Sequence, residues 1–301
     1  MKGAKRHERR LQSAMEYLMT YGWAILIIAV VLGALFQLGV FNSSSFSPRA
    51  PPGACQVFRP SGPGTTTNIN LMGVCTGQLP QYVGQFNGAG SYADVPNSAK
   101  WFSDPLSVSV WFSAANLSSA VAVLGTFYNG NNWMLYRNGN YPLQRLAVIS
   151  YYNKVGGGTN YLFAYYDGFR NNALYNVVFV RNASASTATI KMYVNGALQS
   201  TSTYSDFLSW VLDTTQGVRI GGNAVGGGYP FNGQVANVQM YNTSLSANQV
   251  QAIYLGGIGG APMKLQNLIG WWPLNGDTKD YSGNNNNGVP TAVTFTSQYG
   301  K

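Results

Sequence analysis

Charge is what this chain has least of. Asp, Glu, Lys and Arg make up 9% of its 301 residues, against roughly 25% in an average soluble protein. The shortage is sharper for single residue types. Glu occurs only at Glu8 and Glu16 and His only at His7, so everything beyond residue 41 lacks both. A Ser-His-Asp triad and a His-ligated zinc site are excluded there. A glycoside-hydrolase pair would have to be two Asp residues, which argues against an enzyme. Cysteine is confined to Cys55 and Cys75. The gap is filled by 36 Gly, 20 Tyr and abundant Asn, Ser and Thr. Disordered chains are poor in aromatics and rich in charge; with 14% aromatic residues, this composition suits an all-β domain with a neutral polar surface.

The net charge of +9 is uneven. Lys2, Lys5, Arg6, Arg9 and Arg10 crowd the first eleven residues against Glu8 alone. Beyond Asn42, thirteen Lys and Arg and seven Asp leave +6, scattered singly. Without a basic stripe, nucleic acid is not an expected partner.

The basic leader, residues 1–11, runs into a hydrophobic stretch, residues 12–41. Tyr17 to Phe41 contains no charge and no Pro. As one continuous helix it would rise about 37 Å, enough to cross hydrocarbon with some tilt. Basic residues before it and few after it place the N-terminus in the cytoplasm and the remainder outside. A secretory signal peptide has a shorter apolar region and a small-residue cleavage site, so the run reads as a single-pass anchor. The residues Gln12-Ser13-Ala14-Met15-Glu16-Tyr17-Leu18-Met19-Thr20-Tyr21-Gly22-Trp23-Ala24-Ile25-Leu26 resemble the class III signal peptide of archaeal type IV pilin-like proteins. The resemblance implies cleavage between Leu11 and Gln12 by a prepilin-type peptidase, with Glu16 as the fifth mature residue. It also implies self-association, the Glu16 carboxylate neutralising the new Gln12 amine of a neighbouring copy. A carboxylate near hydrocarbon costs a few kcal/mol unless paired. Leu11 departs from the Gly or Ala usual before the cut. The alternative is a plain anchor in membrane lipid, with Glu16 in the headgroup zone.

Residues 42–77 are rich in Ser, Pro and Gly and read as a semi-extended spacer. Outside the cell Cys55 and Cys75 would form one disulfide, closing a loop of about 20 residues and contributing roughly 3 kcal/mol; two free thiols are the alternative. Sequons begin at Asn42, Asn116, Asn182 and Asn242, consistent with an exterior location and glycosylation.

From residue 78 to 301, short alternating runs are punctuated by Gly and Asn. In Leu106 to Phe112 the residues Leu106, Val108, Val110 and Phe112 face one way and Ser107, Ser109 and Trp111 the other, a strand with one buried face. Asn195-Gly196 supplies the two positive-φ positions of a type I′ hairpin turn. Further strands are expected at Leu146–Tyr152, Tyr161–Tyr166, Tyr175–Arg181 and Val235–Tyr241. Ser246 and Gln249 have capping-box spacing at the start of one short helix. About a dozen strands joined by short turns imply a two-layer sandwich.

Several of these segments, in order, resemble the concanavalin A-like, laminin-G-type jelly roll. They are Phe86-Asn87-Gly88, Tyr92-Ala93-Asp94-Val95-Pro96, Ser107-Val108-Ser109-Val110-Trp111, Met192-Tyr193-Val194-Asn195-Gly196, Arg219-Ile220-Gly221-Gly222, Phe231-Asn232-Gly233 and Val238-Gln239-Met240-Tyr241-Asn242. The expected fold is therefore an all-β, two-sheet jelly-roll sandwich preceded by one long transmembrane or pilin-like α-helix. The segment 268–301 resembles the opening of such a module but lies at the end of the chain. It is expected to complete the sandwich as a permuted edge, with Trp271 and Trp272 on opposite faces of its strand, one in the core and one exposed; a truncated second module is the alternative.

Members of that fold family often bind Ca²⁺ through acids. Here Asn87, Ser91 and Ala236-Asn237 stand where acids are common. The departures weigh against a calcium site and leave Asp94, Asp277 and Asp280 as candidate ligands. The resemblance implies recognition of a glycan through aromatic rings and amides, and the candidate contacts are Asn131, Trp133, Tyr151, Tyr152, Asn153, Tyr161 and Tyr165. The function expected is surface recognition or adhesion, anchored in a membrane or a surface filament. A purely structural filament subunit and a glycan hydrolase using Asp277 or Asp280 are the alternatives.

Overall fold

The chain divides into two units, Met1–Pro48 and Arg49–Lys301. A computed structural model describes residues 19, 21–34, 37, 55–62, 65–71, 80, 82–115, 120–126, 132–138, 145–211, 217–222 and 229–297. In the first unit residues 19, 21–34 and 37 are helical. The rest of the helix expected over 12–41 lies outside the described residues, as do Leu11, Gln12 and Glu16. Among the described residues no helix is long and apolar enough to cross a membrane. Met19, Trp23 and Ile25 are exposed on the helical stretch.

The second unit begins with a hairpin of β1 (Cys55–Gly62) and β2 (Thr65–Leu71). Cys55 opens β1; its side chain and Cys75 lie outside the described residues. Two larger antiparallel sheets follow. The first runs in the order β12 (Ala197–Tyr204), β11 (Thr187–Val194), β10 (Leu174–Ser184), β5 (Leu106–Ala114), β15 (Asn232–Tyr241), β3 (Val83–Asn87) and β18 (Thr294–Thr296). A further strand, β16 (Leu268–Trp272), pairs with β15 along Val238–Tyr241, beyond the stretch Asn232–Val235 taken by β3. The second sheet runs β13 (Phe207–Trp210), β8 (Arg145–Lys154), β7 (Trp133–Asn138), β6 (Val121–Gly125), β14 (Val218–Ile220), β4 (Tyr92–Val95) and β17 (Val289–Thr291), with β9 (Thr159–Tyr166) also paired to β8. The strands expected at Leu106–Phe112, Leu146–Tyr152, Tyr161–Tyr166, Tyr175–Arg181 and Val235–Tyr241 form as β5, β8, β9, β10 and β15, each extending past the expected bounds.

The inner faces of the two sheets share one core. Leu106, Val108, Val110 and Phe112 from β5 meet Trp133, Leu135, Leu146 and Val148 from β7 and β8. Local chemistry fixes the connections. Asn195 (φ 50°) and Gly196 (φ 78°) take the left-handed conformations of the expected turn between β11 and β12. Gly221 has φ 88°, and a Cβ there would lie 2.2 Å from the Phe86 ring, so only Gly fits against that aromatic.

The outer face of the first sheet is covered over its central strands as well. The capping box forms as expected: Ser246 Oγ accepts from Gln249 N–H at 3.4 Å and Gln249 Oε1 from Ser246 N–H at 2.9 Å. The helix it starts, Ala247–Leu255, contributes Val250 and Ile253 to a second cluster with Val178, Val180, Tyr193 and Trp271. Tyr254 stacks on Trp111, centroids 5.8 Å apart and planes 15° apart. This corrects the expectation of a single buried face on Leu106–Phe112, because every residue of that run is buried. Ser107 Oγ donates to Thr243 C=O at 2.6 Å and accepts from Leu245 N–H at 3.0 Å. Its polarity serves the covering chain rather than water.

The C-terminal segment is integral to both sheets. β16 joins the first, β17 pairs with β4 in the second and β18 with β3 in the first. Trp271 and Trp272 do point to opposite faces, but both are 0% exposed, which corrects the expectation that one faces solvent. Trp272 enters the inter-sheet core and Trp271 the cluster beneath the helix.

Candidate functional site

The outer face of the second sheet holds a depression. It is built on β7, β8 and β9, whose register aligns outward residues in rows. Tyr136 lies opposite Ala147 and Ala147 opposite Tyr165; Met134 opposite Ile149 and Ile149 opposite Phe163; Tyr151 opposite Tyr161. The inward residues of the same strands, Leu135, Leu146, Val148, Leu162 and Ala164, are in the core. Parity therefore decides each side chain's role. Ala147, with only a methyl group, leaves room between Tyr136 and Tyr165.

The result is a cavity of about 340 Å³ lined by Tyr136, Arg145, Ile149, Tyr151, Tyr161, Phe163 and Tyr165. It stands at the lower end of the roughly 300–1,000 Å³ typical of small-molecule sites. The rings brace one another: Tyr151 and Tyr161 centroids are 5.6 Å apart, Tyr136 and Phe163 6.5 Å, and Phe163 and Tyr165 5.8 Å. Such pairs prefer tilted or edge-on geometry, and each here is inclined. Tyr161 is 46% exposed and forms the rim. Burial raises the Tyr151 hydroxyl above the usual tyrosine range, and the neighbouring Tyr161 and Tyr229 add to the shift, so it stays protonated at neutral pH.

Among the described residues Arg145 is the one charged member of the lining. Its guanidinium lies 4.1 Å above the Tyr165 ring, and its Nε is 2.7 Å from Asp167 Oδ1. The Nε–H does not aim at that oxygen well enough to form a hydrogen bond, so the contact is an ion pair only.

The structure brings Tyr151, Tyr161 and Tyr165 together as expected of a contact surface. It separates the other candidates. Trp133 and Tyr152 are 0% exposed; Trp133 Nε1 donates to Trp101 C=O at 3.0 Å and Tyr152 Oη to Asp206 Oδ1 at 2.8 Å. Both face the core and cannot touch a ligand. Asn153 Nδ2 donates to Ser209 Oγ at 3.0 Å, beside β13. Asn131, Asn42 and Asn116 lie outside the described residues; Asn182 and Asn242 are exposed. Phe163 falls inside the span Tyr161 to Tyr166 that the sequence offered; Arg145 and Ile149, on the parity of Tyr151, and Tyr136, opposite Ala147 on β7, were missed.

The candidate metal ligands are engaged elsewhere. Asp94 accepts from Arg219 Nε and Nη2 at 2.6 and 2.7 Å. Asp277 accepts from Lys279 N–H at 3.2 Å and Tyr281 O–H at 2.8 Å. Asp280 accepts from the N–H groups of Trp271, Ser282 and Asn286 at 2.9–3.0 Å and organises the tail. Among the described residues no group of three or more His, Cys, Asp or Glu side chains could hold a metal ion. Where the fold family commonly has acids, Asn87 Oδ1 accepts from Ala89 and Ser91 N–H. Asn237 Nδ2 donates to Gly260 C=O at 2.8 Å, and its Oδ1 accepts from Trp271 Nε1 at 2.8 Å and Gln239 Nε2 at 2.9 Å. These neutral, internally bonded groups do not fit a Ca²⁺ shell.

Two packed antiparallel sheets with an outward aromatic depression define a lectin-like sandwich. The family model of the concanavalin A-like lectin/glucanases superfamily, of the laminin G type, matches residues 87–251, and the chain belongs to that superfamily. Among solved structures, a "putative carbohydrate binding protein" from Bacteroides ovatus matches with 16% identity and a TM-score of 0.53, over 77% of this chain and 66% of that one. This chain thus spans just under two thirds of that protein's length. The SAP-like pentraxin of Limulus polyphemus matches with 14% identity and a TM-score of 0.45, over 72% and 94%. The IT-sialidase CBM40 of Ruminococcus gnavus matches with 18% identity and a TM-score of 0.42, over 57% and 98%. At 16% identity the likeness to the Bacteroides ovatus protein is one of fold. No curated protein matches the chain in sequence.

Proposed function

We propose that this protein is a non-catalytic recognition or adhesion protein of the cell surface that binds glycans on the outer face of the second sheet. The observation that carries the reading is the outward cluster of Tyr136, Tyr151, Tyr161 and Phe163 around a cavity of about 340 Å³. Folding normally turns such rings inward. Grouped rings at a surface offer flat apolar faces to the C–H faces of sugars, while their hydroxyls bond sugar hydroxyls. The lack of Glu and His beyond residue 41 favours binding over hydrolysis. The hydrophobic N-terminal stretch supports a single-pass arrangement, with the N-terminus cytoplasmic and the sandwich outside. Its partners would be lipid, or copies of itself after a prepilin-type peptidase has cut before Gln12.

The test is a glycan array probed with the full chain in detergent micelles, alongside a Tyr151→Ala/Tyr161→Ala double variant. Binding that the double variant loses while its melting temperature holds is the expected result. A chain that binds no glycan overturns the recognition half. A second reading, a filament subunit without ligand, draws support from the exposed apolar residues Met19, Trp23 and Ile25. Sheared surface filaments containing this chain, processed at Gln12 and inert on the array, would establish it.

A further inference from the structure

We infer that the glycan carries a carboxylate and that Arg145 is the residue that selects it; the inference rests on the glycan-binding reading and refines it. Four observations converge. First, among the described residues the lining holds one cation and no anion: Arg145 stands among four Tyr, one Phe and one Ile. Asp167 touches Arg145 from outside the lining, with its side chain 51% exposed, where water screens its charge. Secondly, the Arg145 guanidinium is held in place, 4.1 Å above Tyr165 by cation–π attraction and tethered at Nε by Asp167. A held fork loses little entropy when it binds.

Thirdly, the tether uses one edge of that fork. Asp167 meets Nε at 2.7 Å, and among the described residues no acceptor is hydrogen-bonded to either Nη. A planar guanidinium with two parallel N–H donors matches a carboxylate bidentately, and charge-assisted bonds of this kind are about twice as strong as neutral ones. Fourthly, Arg145 covers the face of Tyr165, which removes that ring as a stacking platform. Stacking is left to Tyr151 on the same strand and to Tyr136, Tyr161 and Phe163 on the strands either side, all displaced along β8 from the charge. That separation suits a sugar whose ring lies on the tyrosines and whose acidic substituent reaches Arg145. Uronic and sialic acids share this chemistry.

The experiment uses matched pairs differing only in charge. Trigalacturonate is compared with its methyl ester, and 3′-sialyllactose with its methyl ester, by calorimetry on the full chain in detergent micelles. At least one acid is expected to bind about tenfold more tightly than its ester, equivalent to about 1.4 kcal/mol. Arg145→Met should bring the ratio of acid to ester affinity to about one. Arg145→Lys, which keeps the charge but not the fork, should retain only part of the difference. The pair that responds tells uronate from sialate. Acids and esters bound equally, with both lost in the Tyr151→Ala/Tyr161→Ala variant, would overturn the selection and leave glycan binding standing. An acid preference that survives Arg145→Met would overturn it too, placing the attraction in the diffuse positive charge of the domain. No binding of any acid or ester, with neutral glycans captured on the array, overturns the acidic class alone; an array blank throughout removes both.

Discussion

Trp271 and Trp272 are neighbours in sequence, and their rings end in two different cores. Trp272 packs 5.8 Å from Trp101 between the sheets, and Trp271 lies 6.3 Å from Tyr281 beneath the covering layer. Each is 0% exposed. Trp271→Ala and Trp272→Ala are each expected to lower stability by about 3–5 kcal/mol, measured by urea titration; an exposed Trp would cost less than about 0.5 kcal/mol. Trp271→Phe separates the ring from its N–H. It keeps most of the packing and loses the 2.8 Å bond to Asn237 Oδ1, an acceptor that retains Gln239 Nε2. The expected loss is about 1 kcal/mol.

Strand β5 marks the boundary between local signals and tertiary ones. Alternation and turn chemistry reveal β5, β8, β9, β10 and β15 and the Asn195-Gly196 hairpin, because period two and positive φ are local properties. What alternation does not reveal is what lies over a face. Ser107 and Ser109 look solvent-facing on β5, yet Ser107 bonds chain that lies above it. A serine reads the same in sequence whether its partner is water or a distant carbonyl. The site was half legible for a related reason. Tyr151 and Tyr152 are equally aromatic, and the parity of Leu146 and Val148 puts Tyr152 inside and Tyr151 out. Parity also points to Phe163 once Tyr161 is placed. Arg145 shares the parity of Tyr151, but only the pairing of β8 with β9 sets it over Tyr165.

Tyr281 makes the tail sensitive to alkali. Burial first, and then the hydrogen bond to Asp277 and that carboxylate's charge, raise its hydroxyl well above the usual tyrosine range. A pKa raised in the folded state contributes stability that is complete below the unfolded value of 10.0 and is lost as pH rises beyond it. Stability should therefore fall above pH 10. Tyr281→Phe should cost about 1–2 kcal/mol at neutral pH and show a shallower alkaline fall. Paired urea titrations from about pH 8 to 11 read both effects. Parallel slopes for the two proteins would show that Tyr281 ionises no later in the folded chain than in the unfolded one.

Arg181 is a cation inside the sandwich, 1% exposed. Nη2 donates to Ser103 C=O at 2.8 Å and Nη1 to Ser150 Oγ at 3.3 Å, and the guanidinium lies 4.6 Å from the Trp210 ring. Burial lowers its pKa to about 10, with the Asp104 charge opposing the shift. For a base depressed in this way, holding the proton below that pH weighs against the folded state. Replacing a buried charge by an apolar side chain of similar length is often neutral or stabilising, whereas truncation leaves a hole. Arg181→Met should therefore stay within about 1 kcal/mol of the parent, and Arg181→Ala should lose about 2–5 kcal/mol. Thermal melts of the two variants distinguish a tolerated cation from a required one: equal losses would mean that the guanidinium's own bonds, rather than its volume, hold the sheets together.

The opposed parities of Tyr151 and Tyr152 allow recognition to be separated from folding. Tyr161 is 46% exposed and lies against Tyr151 across the strand pair, so Tyr161→Ala removes little packing. Stability is expected to stay within about 0.5 kcal/mol of the parent. Glycan affinity should fall about three- to tenfold, the equivalent of about 0.5–1.5 kcal/mol for one aromatic contact. Tyr152 is 0% exposed and bonded to Asp206, so Tyr152→Ala should cost about 3–5 kcal/mol with no change in affinity for the molecules that remain folded. Calorimetric binding and urea titration of both variants test the pair together. A Tyr152 variant that folds fully but binds weakly would move recognition to the opposite face of the sheet, whereas the crossed result expected here assigns it to the outward row.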